Sequence, residues 1–366
     1  LLTRMMAAGL THGKRVLLID KSSKKTNDRT WCFWEDTPGF FEPLVYKKWS
    51  QLWFHATSFS NLYNIAPYQY KMIRGIDFYD DCFEKIKSDA AIEIINGTVT
   101  ERSFSGNSLR ITIDDRAYEF RGAIVFNSLY DEAAARQQNT AYLLQHFRGW
   151  EIETAHAVFN PDEAVLMDFR VSQANGTTFV YVLPRSATSA LIEYTLFSEE
   201  ILPEHVYNNG LKTYLQDQLQ TGDYTITAEE SGVIPMTDAK FPWYANGMYH
   251  IGTAGGQTKA SSGYTFPFIQ KQSAAIVEQL QLGSFGPRLI PAVSPKRFNF
   301  YDAVLLRVLA NKYASGSDVF CSLFKNNKPS SIFSFLDNTS SLKQDIGIIQ
   351  SLPTLPFLKA ALRQLF

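Results

Sequence analysis

Two strand-like runs only five residues apart put the tightest limit on how this chain can fold. Residues 178–184 carry Phe179, Val180, Tyr181, Val182 and Leu183 ahead of Pro184, and residues 190–195 carry Ala190, Leu191, Ile192, Glu193, Tyr194 and Thr195. Runs rich in β-branched and aromatic residues, joined by a short small and polar stretch from Arg185 to Ser189, predict a β-hairpin. Similar runs at 149–155, 165–170 and 224–232, with a helix over 203–218, extend it into a mainly antiparallel sheet. Period-2 alternation puts Leu191, Glu193 and Thr195 on one face and Ile192, Tyr194 and Leu196 on the other. A carboxylate flanked by Leu, Ile and Tyr sits either on a solvated face or in an apolar pocket. The pattern alone favours the solvated face, because acids are seldom fully buried.

The N-terminal part reads differently. Residues 1–10 are apolar and helix-like, and end at Thr11, His12 and Gly13. Val16, Leu17, Leu18, Ile19 and Asp20 follow as a buried-looking strand closing on an acid. Helix, glycine turn and strand ending in Asp make up the second half of a dinucleotide-binding βαβ unit, where that acid bonds the adenosine ribose. An ordinary strand-end acid is the plainer alternative for Asp20. No G-x-G-x-x-G precedes Leu1, and the helix at residue 1 reads as a truncated start. An aromatic cluster over residues 29–34, a helix over 77–87, a meander turning at Gly106-Asn107 and Asp114-Asp115, and a strand at 122–127 complete an interrupted doubly wound α/β domain. A second strand runs into Gly252, Thr253, Ala254, Gly255 and Gly256, ahead of a helix with Ile269, Ile276 and Leu280 on one stripe and Gly283 as its stop. Glycines before a helix N-terminus let the backbone approach a phosphate, although such turns also serve packing.

The expected organisation is a nucleotide-binding domain from 1–135 and 240–285, an antiparallel substrate domain at 140–239, and a helical C-terminal region at 286–366. Charge is balanced, with 35 Lys and Arg against 36 Asp and Glu, so no basic field points to nucleic acid. The scattered Cys32, Cys82 and Cys321 argue against a disulfide framework and for a reducing compartment, and the six histidines lack metal-ligand spacing. No apolar run reaches the ~18 residues of a spanning helix. The 27 Phe and 18 Tyr supply apolar contact area, either for an aromatic core or for a large apolar ligand. Near the end, Phe357, Leu358, Ala361, Leu362, Leu365 and Phe366 form an apolar face with Lys359 and Arg363 opposite. Such a face packs on a core or lies on a membrane.

From about Val16 to the C-terminus these segments resemble the flavoprotein lycopene cyclases, in particular the bacterial β-cyclases. The likeness rests on residues 16–21 with Arg29, Thr30, Trp31, Cys32, Phe33 and Trp34, on residues 178–195, and on residues 252–264. Residues 299–302 and 335–337 add to it. The resemblance implies a Rossmann-like FAD domain contacted by Asp20, Lys21, Arg29, Thr30, Trp31, Gly252, Thr253, Ala254, Gly255, Gly256, Gly263 and Tyr264. It implies Glu193 as catalytic acid, with Phe179, Tyr181, Leu191 and Tyr194 lining the substrate. Tyr194 stands where relatives carry a second acid, and Thr253 where flavoproteins of this type often carry an acid. The implied reaction is redox-neutral cyclisation of lycopene to β rings. The implied cofactor is reduced FAD, with NAD(P)H as candidate reductant and no metal. The implied location is cytoplasmic, peripheral to the inner membrane from which lycopene is drawn. Rival readings are an FAD monooxygenase, an isoprenoid reductase, or a carotenoid-binding protein without catalysis.

Overall fold

A computed structural model describes residues 1–106, 108–138, 140–286, 289 and 294–365. The hairpin forms as expected: Thr177–Pro184 pairs antiparallel with Ser189–Ser198, bringing Tyr181 opposite Glu193. Ser189–Ser198 then pairs with Tyr142–Thr154, whose other edge takes Tyr224–Thr237. Glu163–Asp168, Gln51–Ala56 and Phe59–Asn64 complete a seven-stranded sheet on the far side. The last two strands come from outside residues 140–239, and they join through a parallel pairing of Glu163–Asp168 with Gln51–Ala56.

Alternation sorts the side chains of this sheet. One face carries Phe179, Tyr181, Leu183, Leu191 and Phe197 into a core shared with Trp34, Trp49, Tyr70 and C-terminal helices. The other carries Val180, Val182, Ile192, Tyr194 and Leu196 against the helix Glu204–Tyr214. Apolar side chains therefore cover both faces, and every residue of Thr177–Pro184 is buried. Along Tyr224–Thr237 the register with Tyr142–Thr154 slips once, between Glu151 and Ile152. Thr227 is the extra residue of that bulge, and its hydroxyl donates to the Glu151 carbonyl at 3.2 Å.

Smaller units pack around the sheet. Val16–Asp20 pairs parallel with Ile92–Asn96, and Val125–Asn127 pairs parallel with Met248–His250. Parallel neighbours need long crossovers, which suits a doubly wound unit interrupted by insertions. The meander consists of Val99–Ser105, Ser108–Ile113 and Arg116–Arg121, with Asp114 (φ 43°) and Asp115 (φ 68°) both left-handed, as a tight hairpin turn of primed type requires. Asn107, expected in its other turn, lies outside the described residues. Thr30–Glu35, Gln69–Arg74 and Lys47–Trp49 form a separate three-stranded sheet. It lies over the Glu193 face of the large one, since Trp34, Trp49 and Tyr70 share that core.

The chain ends in the helices Arg297–Ala310, Gly316–Asn326, Pro329–Leu336, Leu342–Ser351 and Thr354–Leu365. Pro329 opens its helix, where the missing N–H costs nothing, and a capping box at Ser341 opens the next. The apolar face expected near the C-terminus divides. Phe357, Ala360 and Ala361 pack on Val304, Val308 and Val319, while Leu358, Leu362 and Leu365 stay exposed. Phe366 lies outside the described residues. Among the described residues no helix is long and apolar enough to cross a membrane. The whole is a mixed α/β fold with a multi-stranded sheet and a helical C-terminal region.

Candidate active site

Cross-strand register builds the site. Tyr181, Glu193, Gly149 and Glu230 stand opposite one another on four neighbouring strands, forming one row across the sheet. Opposed residues of paired strands share a face, so both carboxylates point into the aromatic core. Gly149 leaves the backbone between them bare, and a Cβ there would come within 3.0 Å of Leu191 Cδ1 and 3.1 Å of Glu230 Cγ.

Each acid is held by one hydroxyl. Thr195 Oγ1 donates to Glu193 Oε1 at 2.8 Å, and Thr30 Oγ1 donates to Glu230 Oε2 at 2.8 Å. Glu230 Oε1 is buried without a partner. Glu193 is half-buried by its own surface and densely surrounded by protein. Burial, then the charge of Glu230, pushes the Glu193 carboxyl up to about 8 against a small opposing pull from Thr195. Burial also pushes Glu230 to about 7, with Thr30 and Arg29 opposing and Glu151 and Asp28 adding. Desolvation disfavours the charged form, so this environment keeps an acid loaded near neutral pH. The other walls are Cys32, whose thiol burial and the two glutamates push up, and Tyr70, Tyr181 and Tyr264, whose phenols burial pushes up. Tyr70 and Tyr264 share a hydrogen bond at 3.2 Å, and Tyr264 packs on Trp34 with ring centroids 4.3 Å apart.

Beside Tyr264 lies the glycine-rich turn. Residues Gly252–Gly255 form a short 3-10 helix, with Gly252 at φ 61° and Gly256 at φ 74°. A Cβ on Gly255 would stand 2.3 Å from the His250 carbonyl, and one on Gly263 would stand 2.1 Å from Gln145 Oε1. Ser262 Oγ, Gln272 Nε2 and Gln145 Oε1 are buried here without partners. Unsatisfied buried groups are costly, and a polar ligand seated on this turn would satisfy them. Thr253 bonds Thr258 at 3.0 Å, and Ala254 is buried. Lys259 anchors the loop from within: its ammonium meets Asp302 at 2.7 Å and Asn338 at 2.8 Å.

Asp20 and Lys21 end their strand at a second polar corner. Asp20 lies 3.8 Å from Lys24, whose ammonium caps the Tyr79 ring, and Tyr79 bonds Asp28 at 2.7 Å. Arg29 is occupied by Asp28. Trp31 joins the two regions, packing on Tyr79 on one side and on Phe266, just beyond the turn, on the other. Glu193, Thr30, Tyr181, Leu191, Phe179 and Tyr264 thus come together in one core. Tyr194 does not, because it lies on the opposite face against Gly210. Sequence reasoning missed Glu230, Gly149, Tyr70 and Gln145. The tandem Glu229 and Glu230 inside a strand was the available signal, since alternation sends one of two neighbours inward. A polar cavity of about 160 Å³ lies elsewhere, beside Glu35, Tyr68 and Lys71, with the Lys71 ammonium taken up by Glu35 and Glu42.

Comparison with known proteins fits this geometry. The sequence profile of the lycopene cyclase protein family matches residues 3–362. The chain is 27% identical over 281 residues to a lycopene beta-cyclase of Pseudescherichia vulneris, covering 74% of this chain and 68% of that one. It is 26% identical over 267 residues to a lycopene beta-cyclase of Pantoea ananas, covering 69% and 64% respectively. The matched region thus spans about two thirds of each relative's length. Among solved structures, a geranylgeranyl bacteriochlorophyll reductase-like protein of Thermoplasma acidophilum superposes with TM-score 0.63 at 11% identity, covering 98% of this chain and 95% of that one. Klebsiella pneumoniae HpxO, complexed with FAD and uric acid, superposes with TM-score 0.64 at 10% identity, covering 94% and 98%. These two likenesses show a shared fold.

Proposed function

The chain belongs to the lycopene cyclase protein family, and on that premise we propose that it is a lycopene β-cyclase that forms rings by acid-initiated, redox-neutral isomerisation. The observation that carries this reading is the enclosed Glu193 carboxyl, which burial holds protonated near neutral pH. A hydrocarbon alkene is a weak base, so its acid has to be loaded, fixed and shielded from water. Thr195 fixes Glu193, and the aromatic core packs around it.

Glu193 delivers its proton to C2 of the terminal C1=C2 bond, leaving a tertiary cation at C1. The C5=C6 pair then closes the ring as a C1–C6 bond and passes the charge to C5. Tyr181, Tyr264 and Tyr70 line the core beside the acid, and cation–π contact with such rings stabilises charge by roughly 0.5–2 kcal/mol per ring. The cofactor we assign is reduced FAD, with NAD(P)H as its candidate electron source. Gly252, Gly255, Gly256, Gly263, Ser262 and Gln272 would hold it, with Asp20 and Trp31 toward the nucleotide. When bound, reduced flavin supplies negative charge opposite the developing cation.

The substrate comes from a bilayer, and the exposed leucines suit that. Leu342 and Ile346 recur at one-turn spacing on one helix, and Leu355, Leu358, Leu362 and Leu365 on the next, all exposed, with Lys343, Lys359 and Arg363 nearby. An amphipathic surface of this kind lies in the headgroup region with its basic residues toward anionic lipid. We assign these two helices as the peripheral membrane contact. Replacing Leu358 and Leu362 by Glu is expected to abolish co-sedimentation with anionic vesicles while leaving the fold intact.

Anaerobic incubation with lycopene and reduced FAD, followed by chromatography and mass measurement, tests the whole reading. Cyclisation leaves the mass of lycopene unchanged. Added oxygen would reveal a monooxygenase, added hydrogen a reductase, and bound but unconverted polyene a carrier.

A further inference from the structure

Ring formation gives up a proton as well as taking one, and the reading above assigns only the first step to a residue. We propose that Glu230 is the general base, taking the C6 proton from a substrate end held between the two carboxylates. The inference rests on the cyclase reading and extends it.

Three observations carry it. Glu193 and Glu230 flank Gly149 in one row of the sheet, so their backbones lie two strand spacings, roughly 10 Å, apart, and the residue between them lacks a side chain, which lets Glu230 and Leu191 lean in over it. A group held between the carboxylates can be approached from both sides. C2 and C6 are both bonded to C1, so the proton enters and leaves at positions separated by a single carbon. Glu230 also has a spare acceptor: Thr30 engages Oε2, while Oε1 is buried with no partner. An orphaned carboxylate oxygen inside a core is unfavourable at rest, and a proton from the substrate would satisfy it.

Burial pushes both groups up, and Thr30 and Arg29 pull against it at Glu230. Both carboxyls therefore exchange protons near neutral pH, as an acid and a base working in one cycle require. Cys32, Tyr181 and Tyr264 are the other titratable groups beside Glu193, and Glu151, Asp28 and Arg29 are the charges around Glu230. The balance closes: the C6–H pair becomes the C5=C6 bond, the proton goes to Glu230 Oε1, and nothing is oxidised or reduced. Return of that proton from Glu230 to Glu193 resets the site.

The test is Glu230→Gln, which keeps size and the Thr30 contact but cannot accept a proton. With lycopene and reduced FAD, β-ring formation is expected to fall by about 10²-fold or more. The rings still made should carry their double bond elsewhere, because the C5 cation then loses a proton from C4 or its methyl group. A purely structural glutamate would not redirect the double bond. The acidic limb of the kcat–pH profile should also disappear. Wild-type β-ring output and an unaltered profile in this variant overturn the assignment of Glu230. Failure of the wild-type chain to cyclise lycopene overturns the cyclase reading instead. Where Glu230→Gln does not fold, Thr30→Val serves: losing the donor raises Glu230 further and moves the acidic limb to higher pH, and an unmoved limb overturns the proposal.

Discussion

The two faces of the seven-stranded sheet are cut from alternate residues of the same strands, yet they do opposite things. Behind Ile192 and Tyr194 an aliphatic and aromatic layer is closed by the helix Glu204–Tyr214, whose Tyr207 and Tyr214 bond the buried His146 and Asp168, and Gly210 lies against the Tyr194 ring. In front, within one residue, Glu193 meets a second carboxylate, a thiol and three phenols. Each face has its own glycine that lets a neighbour in, Gly210 for a ring and Gly149 for a carboxylate. Chemistry and stability are thus separated by a single step along the chain, and substitutions can tell them apart.

The largest expected effect is Glu193→Gln, which should cost about 10²–10⁴ in cyclisation rate with lycopene while bound flavin and the fold persist. Undiminished β-carotene would dissolve the contrast between the faces. Next is pH. A carboxyl raised from 4.5 to about 8 holds a proton in the folded chain that the unfolded chain has already released, and Glu230, raised to about 7, does the same. Stability is therefore full below the unfolded value and is lost as pH rises through the folded ones, by on the order of several kcal/mol for the pair. Urea midpoints should fall between about pH 5 and 9, and Glu193→Gln should flatten that slope.

The two glycines give a smaller, paired test. Gly210→Ala gains about 1 kcal/mol of helix propensity, but its Cβ would sit 2.6 Å from the Tyr194 ring. Overpacking of about 1–3 kcal/mol should prevail, with rate per folded molecule unchanged. Gly149→Ala crowds Leu191 and Glu230 at 3.0 and 3.1 Å, so its stability loss should be the milder and its loss of rate the greater. The smallest effect belongs to Tyr194→Phe, expected within about 1 kcal/mol in urea titration and unchanged in rate. A loss of rate there would put the back face into the chemistry.

What was legible beforehand was local. The hairpin, the Asp114-Asp115 turn and the sharing of one face by Leu191, Glu193 and Thr195 follow from alternation and turn chemistry, which act over a few residues, whereas the solvated face that the pattern favoured for Glu193 is the aromatic core, because a second sheet and the C-terminal helices cover it. Glu230 was invisible as a partner because its meeting with Glu193 depends on register across an intervening strand about 80 residues away in the chain. The same holds for strands Gln51–Ala56 and Phe59–Asn64, which reach the sheet through a parallel pairing with no local cue. Tyr194 follows the opposite lesson: its adjacency to Glu193 in sequence suggested a shared pocket, whereas the pleat sends neighbours apart.

The bulge at Thr227 has a bearing on how such a site tolerates change. Below it Ile226 pairs with Ile152, above it Ala228 pairs with Glu151, so the strand re-sets its phase just before the row that holds Glu230. A bulge can absorb one residue gained or lost in the connection that precedes it. Insertions and deletions near Gly222 should therefore be taken up at Thr227, leaving the acids in step. One residue inserted beyond the bulge, between residues 228 and 229, would shift the phase of the row and bring Glu229 inward in place of Glu230.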